Sequence, residues 1–248
     1  MFIMEKNRLK NVLAAVLLVC AGCSSPSAPG NTNVDGPSVS IGSGSAYLYV
    51  VKNSAGQAVG VGAAINRPAL TSLTHDTSFV LCTGHSALQV ELDYVTTGAS
   101  PYNKPHLDAY FFLIGDDSTL RPSIVGGPDT ATILPQYIPN GYTAKNNIAE
   151  AGKGIRYFDV TAPELQGQPF QTAFDCGFYQ GQSTYQEVMI DRALLNSKWQ
   201  GTVNVKQPAS YDYGNTAYAG TYSIRYDSGS DTYFIELDNL SEPVLLVD

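Results

Sequence analysis

Cys82-Thr83-Gly84-His85 sets a thiol three residues from an imidazole, and His75-Asp76 lies just upstream. Such residues can form a nucleophile with its base, or ligands of a metal site, provided that the sulfur is free. Carboxylates gather at Asp116 and Asp117 and again at Asp227, Asp231, Glu236 and Asp238. Hard oxygens clustered around a turn can hold Ca²⁺ in extracellular β domains. Asp, Gly and Ser are equally what a tight turn needs for its backbone, and DSGSD (227–231) lacks the spacing of an EF-hand loop. A pair of acids for glycoside hydrolysis is open to Asp116, Asp117, Glu187 or Asp191, with nothing to single out two of them. HExxH, Walker and G-x-S-x-G patterns are absent, and Gly60-Val61-Gly62 lacks the third glycine of a dinucleotide fingerprint. Among sixteen tyrosines, Tyr211 and Tyr213 in SYDYGN are the least explained by strand preference. With Trp199 they are the candidate rings for a glycan or protein partner.

The elements that must position these groups begin after a targeting segment. Lys6, Arg8 and Lys10 outweigh Glu5, Val12–Val19 carries no polar side chain, and Ala21-Gly22 follow. These are the charged, apolar and small-residue parts of a signal peptide, too short in its apolar run to cross a bilayer. The stretch VCAGCSS resembles the lipobox of bacterial lipoproteins, with Cys20 standing where that class usually has Leu. The resemblance implies cleavage after residue 22, acylation (palmitate among the chains) of Cys23, and a lipid anchor in the cell envelope. Ser24, with no Asp after Cys23, implies sorting to the outer membrane where the organism has one. It covers about the first tenth of the chain and implies nothing about the folded part.

Cleavage there removes three cations and one anion and moves the net charge from −8 to −10. So acidic a surface repels phosphate backbones and anionic lipid, which argues against a nucleic-acid partner and leaves membrane attachment to acyl chains. Residues 23–45 comprise the lipidated Cys and a Ser/Gly/Pro-rich stretch with the composition of a flexible tether. Residues 46–248 suffice for one large β domain or two smaller ones. In an oxidising compartment Cys82 and Cys176 are expected to form a disulfide, which would remove the thiol that the His85 pairing needs.

From Ala46 onward short Tyr/Val/Phe/Thr runs alternate with Gly/Pro/Asn/Asp clusters, the pattern of many strands and turns. AYLYVVK (46–52) and AVGVGAAI (58–65) read as a hairpin. LQVELDYVT (88–96) alternates as a strand with one wet face, and LDAYFFLI (107–114) reads as a central strand. TYSIRY and TYFIELD flank the turn DSGSD, and PVLLV (243–247) reads as a last strand. TYQEVMIDRALLN (184–196) places Tyr185, Val188, Met189, Arg192 and Leu195 at helical spacing, or divides into two short strands. Residues 126–154, with three prolines and five glycines, form a long excursion or the seam between sub-domains.

The expected fold is mainly β, an antiparallel β-sandwich with one or two short helices at most. A β-barrel or two smaller β sub-domains are the alternatives. The expected role is non-catalytic: an envelope lipoprotein that binds or assembles with a protein or glycan partner, with no cofactor unless Ca²⁺. A polysaccharide-acting hydrolase and a calcium-stiffened structural surface protein are the competing readings.

Overall fold

The computed structural model describes residues 32–82, 88–112, 120–211 and 217–241. Four strands open the chain: β1 (Thr32–Asp35), β2 (Val39–Ile41), β3 (Gly44–Lys52) and β4 (Ala58–Asn66). The β3/β4 hairpin forms as its sequence predicts. Asn53 accepts hydrogen bonds from the backbone of Ala55 and Gln57, and Gly56 takes the left-handed conformation that the turn requires. Asn66 then caps α1 (Arg67–Ser72), accepting from Ala69 N at 3.0 Å, with Pro68 preset in the first turn.

The chain next crosses to a second layer: β5 (Thr77–Cys82), β6 (Gln89–Val95), β7 (His106–Phe112), α2 (Leu120–Ser123), β8 (Gly127–Pro128), β9 (Tyr142–Ala144), β10 (Ile148–Ala149), β11 (Ile155–Asp159), β12 (Thr172–Tyr179) and β13 (Gln182–Asp191). After α3 (Arg192–Asn196) it returns through β14 (Gly201–Asn204), β15 (Thr221–Asp227) and β16 (Thr232–Asp238). One seven-stranded sheet runs β1-β3-β4-β16-β15-β14, with β2 also on β3, the other runs β5-β6-β7-β13-β12-β11-β9, and β8 pairs with β10 apart from both; all these pairings are antiparallel. The protein is a β-sandwich. Leu48, Val61, Ile65 and Ile235 of the first sheet share one buried cluster with Leu92, Phe111, Val188 and Ile190 of the second. Because β16 docks on β4 with the whole second sheet between them in sequence, the first layer is built from both ends of the chain around the second.

Four expectations change. The tether is shorter than 23–45, since β1, β2 and the start of β3 lie within that range. Residues 184–191 are strand, with helix only from Arg192 to Asn196. The 126–154 excursion is no seam, because the core is continuous across both sheets; it supplies the edge strand β9 and sets Lys153 on the outer face of the second. Cys82 and Cys176 are free, the first exposed and the second buried. They lie on adjoining registers, Cys82–Gln89–Phe112 and Cys176–Gln186–Phe111, on strands four steps apart. At ~4.8 Å per step that is roughly 19 Å, well beyond the reach of a disulfide. The strand expected at 243–247 lies outside the described residues.

Candidate functional site

Leu88, Val90, Leu92 and Tyr94 are buried toward the core, as the alternation of β6 predicts. The opposite face was expected to be wet, yet Glu91 is only 9 % exposed. Across the second sheet Asp175 (β12), Glu187 (β13), Tyr110 (β7) and Glu91 (β6) stand directly opposite one another in succession. The next register on that face holds Ala173, Met189, Asp108 and Asp93; the one before it holds Arg156, Gly177 and Tyr185. A row of acids and phenols on a sheet face stays in water unless cations cover it.

Two cations cover it, Lys153 from the strap formed by the 126–154 excursion and Arg121 from α2. Lys153 donates to Asp93 Oδ2 at 2.7 Å, pairs with Glu91 and Glu150 at 3.3 Å, and sets its ammonium 3.8 Å above the Tyr110 ring. Arg121 pairs with Glu91, donates to Gln89 Oε1 at 2.8 Å and lies 3.6 Å above the Phe112 ring. Thr184 Oγ donates to Lys153 O at 2.5 Å, which ties the strap to β13. Burial opposes the charge of Lys153, but Asp93, Glu150 and Glu91 outweigh it and raise its pKa.

Beneath the strap, Arg156 Nη2 donates to Glu187 Oε1 at 3.0 Å and to Tyr110 Oη at 2.6 Å, and its Nε lies 4.0 Å from Asp175 Oδ2. One guanidinium thus faces two acids that are 0 and 1 % exposed. Glu187 Oε2, Asp175 Oδ2, Asp108 Oδ1 and Glu164 Oε1 have no hydrogen-bond partner. Burial, against the pull of Arg156, pushes Asp175 up to about 7, with Asp108 adding to the rise. Burial also carries Glu187 well above the ordinary carboxylate range, with Arg156 opposing and Asp108 and Asp175 adding. Two facing acids with one cation retain a proton between them near neutrality.

At the far end of the face, His106 Nδ1 lies 2.5 Å from Lys104 O, and its Nε2 faces Asp108 Oδ1 at 3.5 Å. Burial disfavours the imidazolium, but the carboxylate of Asp108 facing it and the Lys104 carbonyl raise its pKa. Both ring nitrogens are therefore occupied by the fold. Asp191 accepts from Ala193 N at 2.8 Å as the cap of α3 and pairs with Lys104 at 3.2 Å.

The residues singled out in the sequence are scattered. Asp227 accepts from Gly229 N at 3.0 Å and Ser230 Oγ at 2.7 Å, so its oxygens serve the turn. Asp231 holds a left-handed backbone and accepts from Tyr226. Among the described residues no three His, Cys, Asp or Glu groups are arranged to hold a metal ion. Trp199 packs half-buried on the core. Tyr211 is 42 % exposed, donates to Gln207 Oε1 at 2.6 Å and leans on Tyr218 at 6.0 Å between ring centres. Cys23, His85, Asp116, Asp117 and Tyr213 lie outside the described residues. Sequence reasoning named Glu187 and missed Asp108, Asp175, Arg156 and Lys153. The signal was there for the aspartates: each interrupts an otherwise apolar strand, LDAYFF and TAFDCGFY.

No family model matches the chain, and it has no match among curated proteins or solved structures. The site's meaning rests on its own geometry: Glu91, Asp93 and Glu150 hold Lys153 on the sheet, while Glu187 and Asp175 lie buried beside Arg156.

Proposed function

We propose that this chain is a cell-envelope lipoprotein, acylated at Cys23, whose β-sandwich binds or assembles with a protein or glycan partner and carries out no catalysis. The anchor follows from the resemblance of VCAGCSS to a lipobox, and with Ser24 the destination is the outer membrane where there is one. One observation supports the non-catalytic role: the two candidate hydrolase acids among the described residues, Glu187 and Asp191, are occupied in holding the fold. Glu187 is fully buried against Arg156, and Asp191 caps α3 while bonding Lys104. A polysaccharide chain has no route to a carboxylate that is 0 % exposed. Tyr211, by contrast, presents an exposed ring beside Tyr218, the kind of surface that stacks on sugars or anchors a partner.

Two measurements test the reading. The intact mass of protein taken from its own membrane should carry a diacyl or triacyl increment that Cys23→Ala abolishes. Retention of envelope glycan or protein should fall in Tyr211→Ala and persist in Asp191→Asn. Polysaccharide cleavage by the wild type that disappears in Glu187→Gln, with the fold intact by circular dichroism, would overturn the non-catalytic role.

A further inference from the structure

The four sheet ends differ in how they are finished. β1 and β14 end the first sheet with four residues each, and β9 ends the second with three. The fourth end is β5, six residues long, Thr77-Ser78-Phe79-Val80-Leu81-Cys82, with neither charge nor proline. Among the described residues β5 pairs with β6 alone. Phe79 and Leu81 turn to the core, while Ser78, Val80 and Cys82 face outward, Val80 being 48 % exposed. Native edges are blunted by shortness, charge, proline or a bulge, and β5 uses none of these devices.

Charge decides what can meet this edge. The chain carries net −8, so two copies repel over most approaches. Beside β5 the outward acids are already paired, Glu91 with Arg121 and Lys153, and Asp93 with Lys153 and Ser78. Two copies therefore meet here without like charge opposing them. We propose that β5 pairs antiparallel with β5 of a second copy of this chain, continuing the second sheet across a two-fold axis. The inference names the partner that the binding role leaves open, and it rests on that role but not on acylation.

The register follows from the pleat. Opposed residues of an antiparallel pair point to the same face, so the axis must pass through a residue. Centred on Val80, the pairing covers the exposed valine with its own copy and sets Ser78 opposite Cys82. Centred on Phe79 it would leave Val80 against a serine.

The test uses the full-length chain in detergent with Cys20→Ser and Cys23→Ser, so that no acyl chain drives association. Sedimentation equilibrium should show the mass rising toward twice the monomer with concentration. Val80→Lys, which stacks two ammonium groups on the axis, should weaken the dimer by at least about tenfold at an unchanged melting temperature. With oxidised glutathione, Ser78→Cys should yield a disulfide-linked dimer through Cys82 of the second copy. Each bridge gives up two thiol hydrogens, and the oxidant leaves as two glutathione thiols. The parent with Ser78 should not cross-link. A parent chain that stays monomeric, or a dimer indifferent to Val80→Lys, overturns the inference and leaves the binding role to its own test. A Ser78→Cys variant that dimerises without cross-linking overturns the register, and with it the proposed contact.

Discussion

The outer faces of the two sheets use one device to opposite ends. On the first, Tyr49, Gly62 and Glu236 stand in succession on β3, β4 and β16; a Cβ on Gly62 would lie 2.2 Å from the Tyr49 ring, so the missing side chain lets the phenol cross a strand and donate to Glu236 at 2.7 Å. On the second, Tyr185, Gly177 and Arg156 repeat the arrangement, with a Cβ on Gly177 only 2.1 Å from the ring. The first face covers itself with Tyr47, Val59 and Phe234 and leaves Glu236 half-exposed. On the second, Lys153 and Arg121 lie over the Tyr110 and Phe112 rings, and Asp175 and Glu187 are buried beside Arg156. Burial and the neighbouring Asp238 push Glu236 up to about 8, so both faces hold a proton more tightly than water would, but only the second does so around a guanidinium. The same tyrosine–glycine pair serves a solvated face when its target is one acid, and needs a lid when it serves a cluster of them.

The comparison breaks hardest at Arg156. Arg156→Met strands Asp175 and Glu187 in the interior, and unfolding in urea at pH 8 should show a loss of about 3–5 kcal/mol. The loss should shrink at pH 5, where the acids stay protonated; an equal loss at both values would mean that Arg156 does not neutralise them. Arg225→Met, exposed and 4.0 Å from the half-buried ring of Phe234, should cost no more than about 0.5 kcal/mol.

Next come the glycines. Gly177→Ala and Gly62→Ala each force a buried ring aside, at about 1–3 kcal/mol by thermal melting. Gly177 should be the costlier, since its tyrosine also packs on Tyr110 and Phe112 beneath the strap. Adding Tyr185→Leu to Gly177→Ala should recover part of the loss.

A smaller effect is the pH dependence. Asp175 titrates at about 7 in the folded chain and near 4 unfolded, so the native state keeps a proton that the unfolded chain gives up. Its contribution is therefore full below about pH 4, falls as pH rises, and levels off past about 7. Asp175→Asn should flatten that part of a melting-temperature profile; an unchanged slope would place the proton elsewhere. Glu236→Gln should likewise remove a slope, one that extends to about pH 8.

Legibility varied for a physical reason. The β3/β4 and β15/β16 hairpins, the β6 alternation and the central place of β7 were readable because turn residues and one-sided burial act locally. The stretch 184–191 misled because β13 is covered on both faces: Val188 and Ile190 meet the core, while on the other face Tyr185 packs on Tyr110 and Phe112, Glu187 meets Arg156 and Met189 packs on Phe170. A strand buried on both sides loses its two-residue period, and chance spacings then mimic a helix. Gln186, polar and inward, is satisfied only by Ala217 and Ala219, thirty-one and thirty-three residues away. The cysteines misled because the export that the N-terminal segment implies would favour a bridge, whereas strand order, set by pairing across the whole chain, placed them on separate strands.

Local chemistry by itself determined the turns, most strands and the sandwich class, since a backbone conformation depends on a few neighbouring residues. Only the tertiary structure decided which acid meets which cation. Coulomb energy and desolvation depend on distance and burial, and it is the fold that carries Lys153 to Asp93 and Arg156 to Glu187.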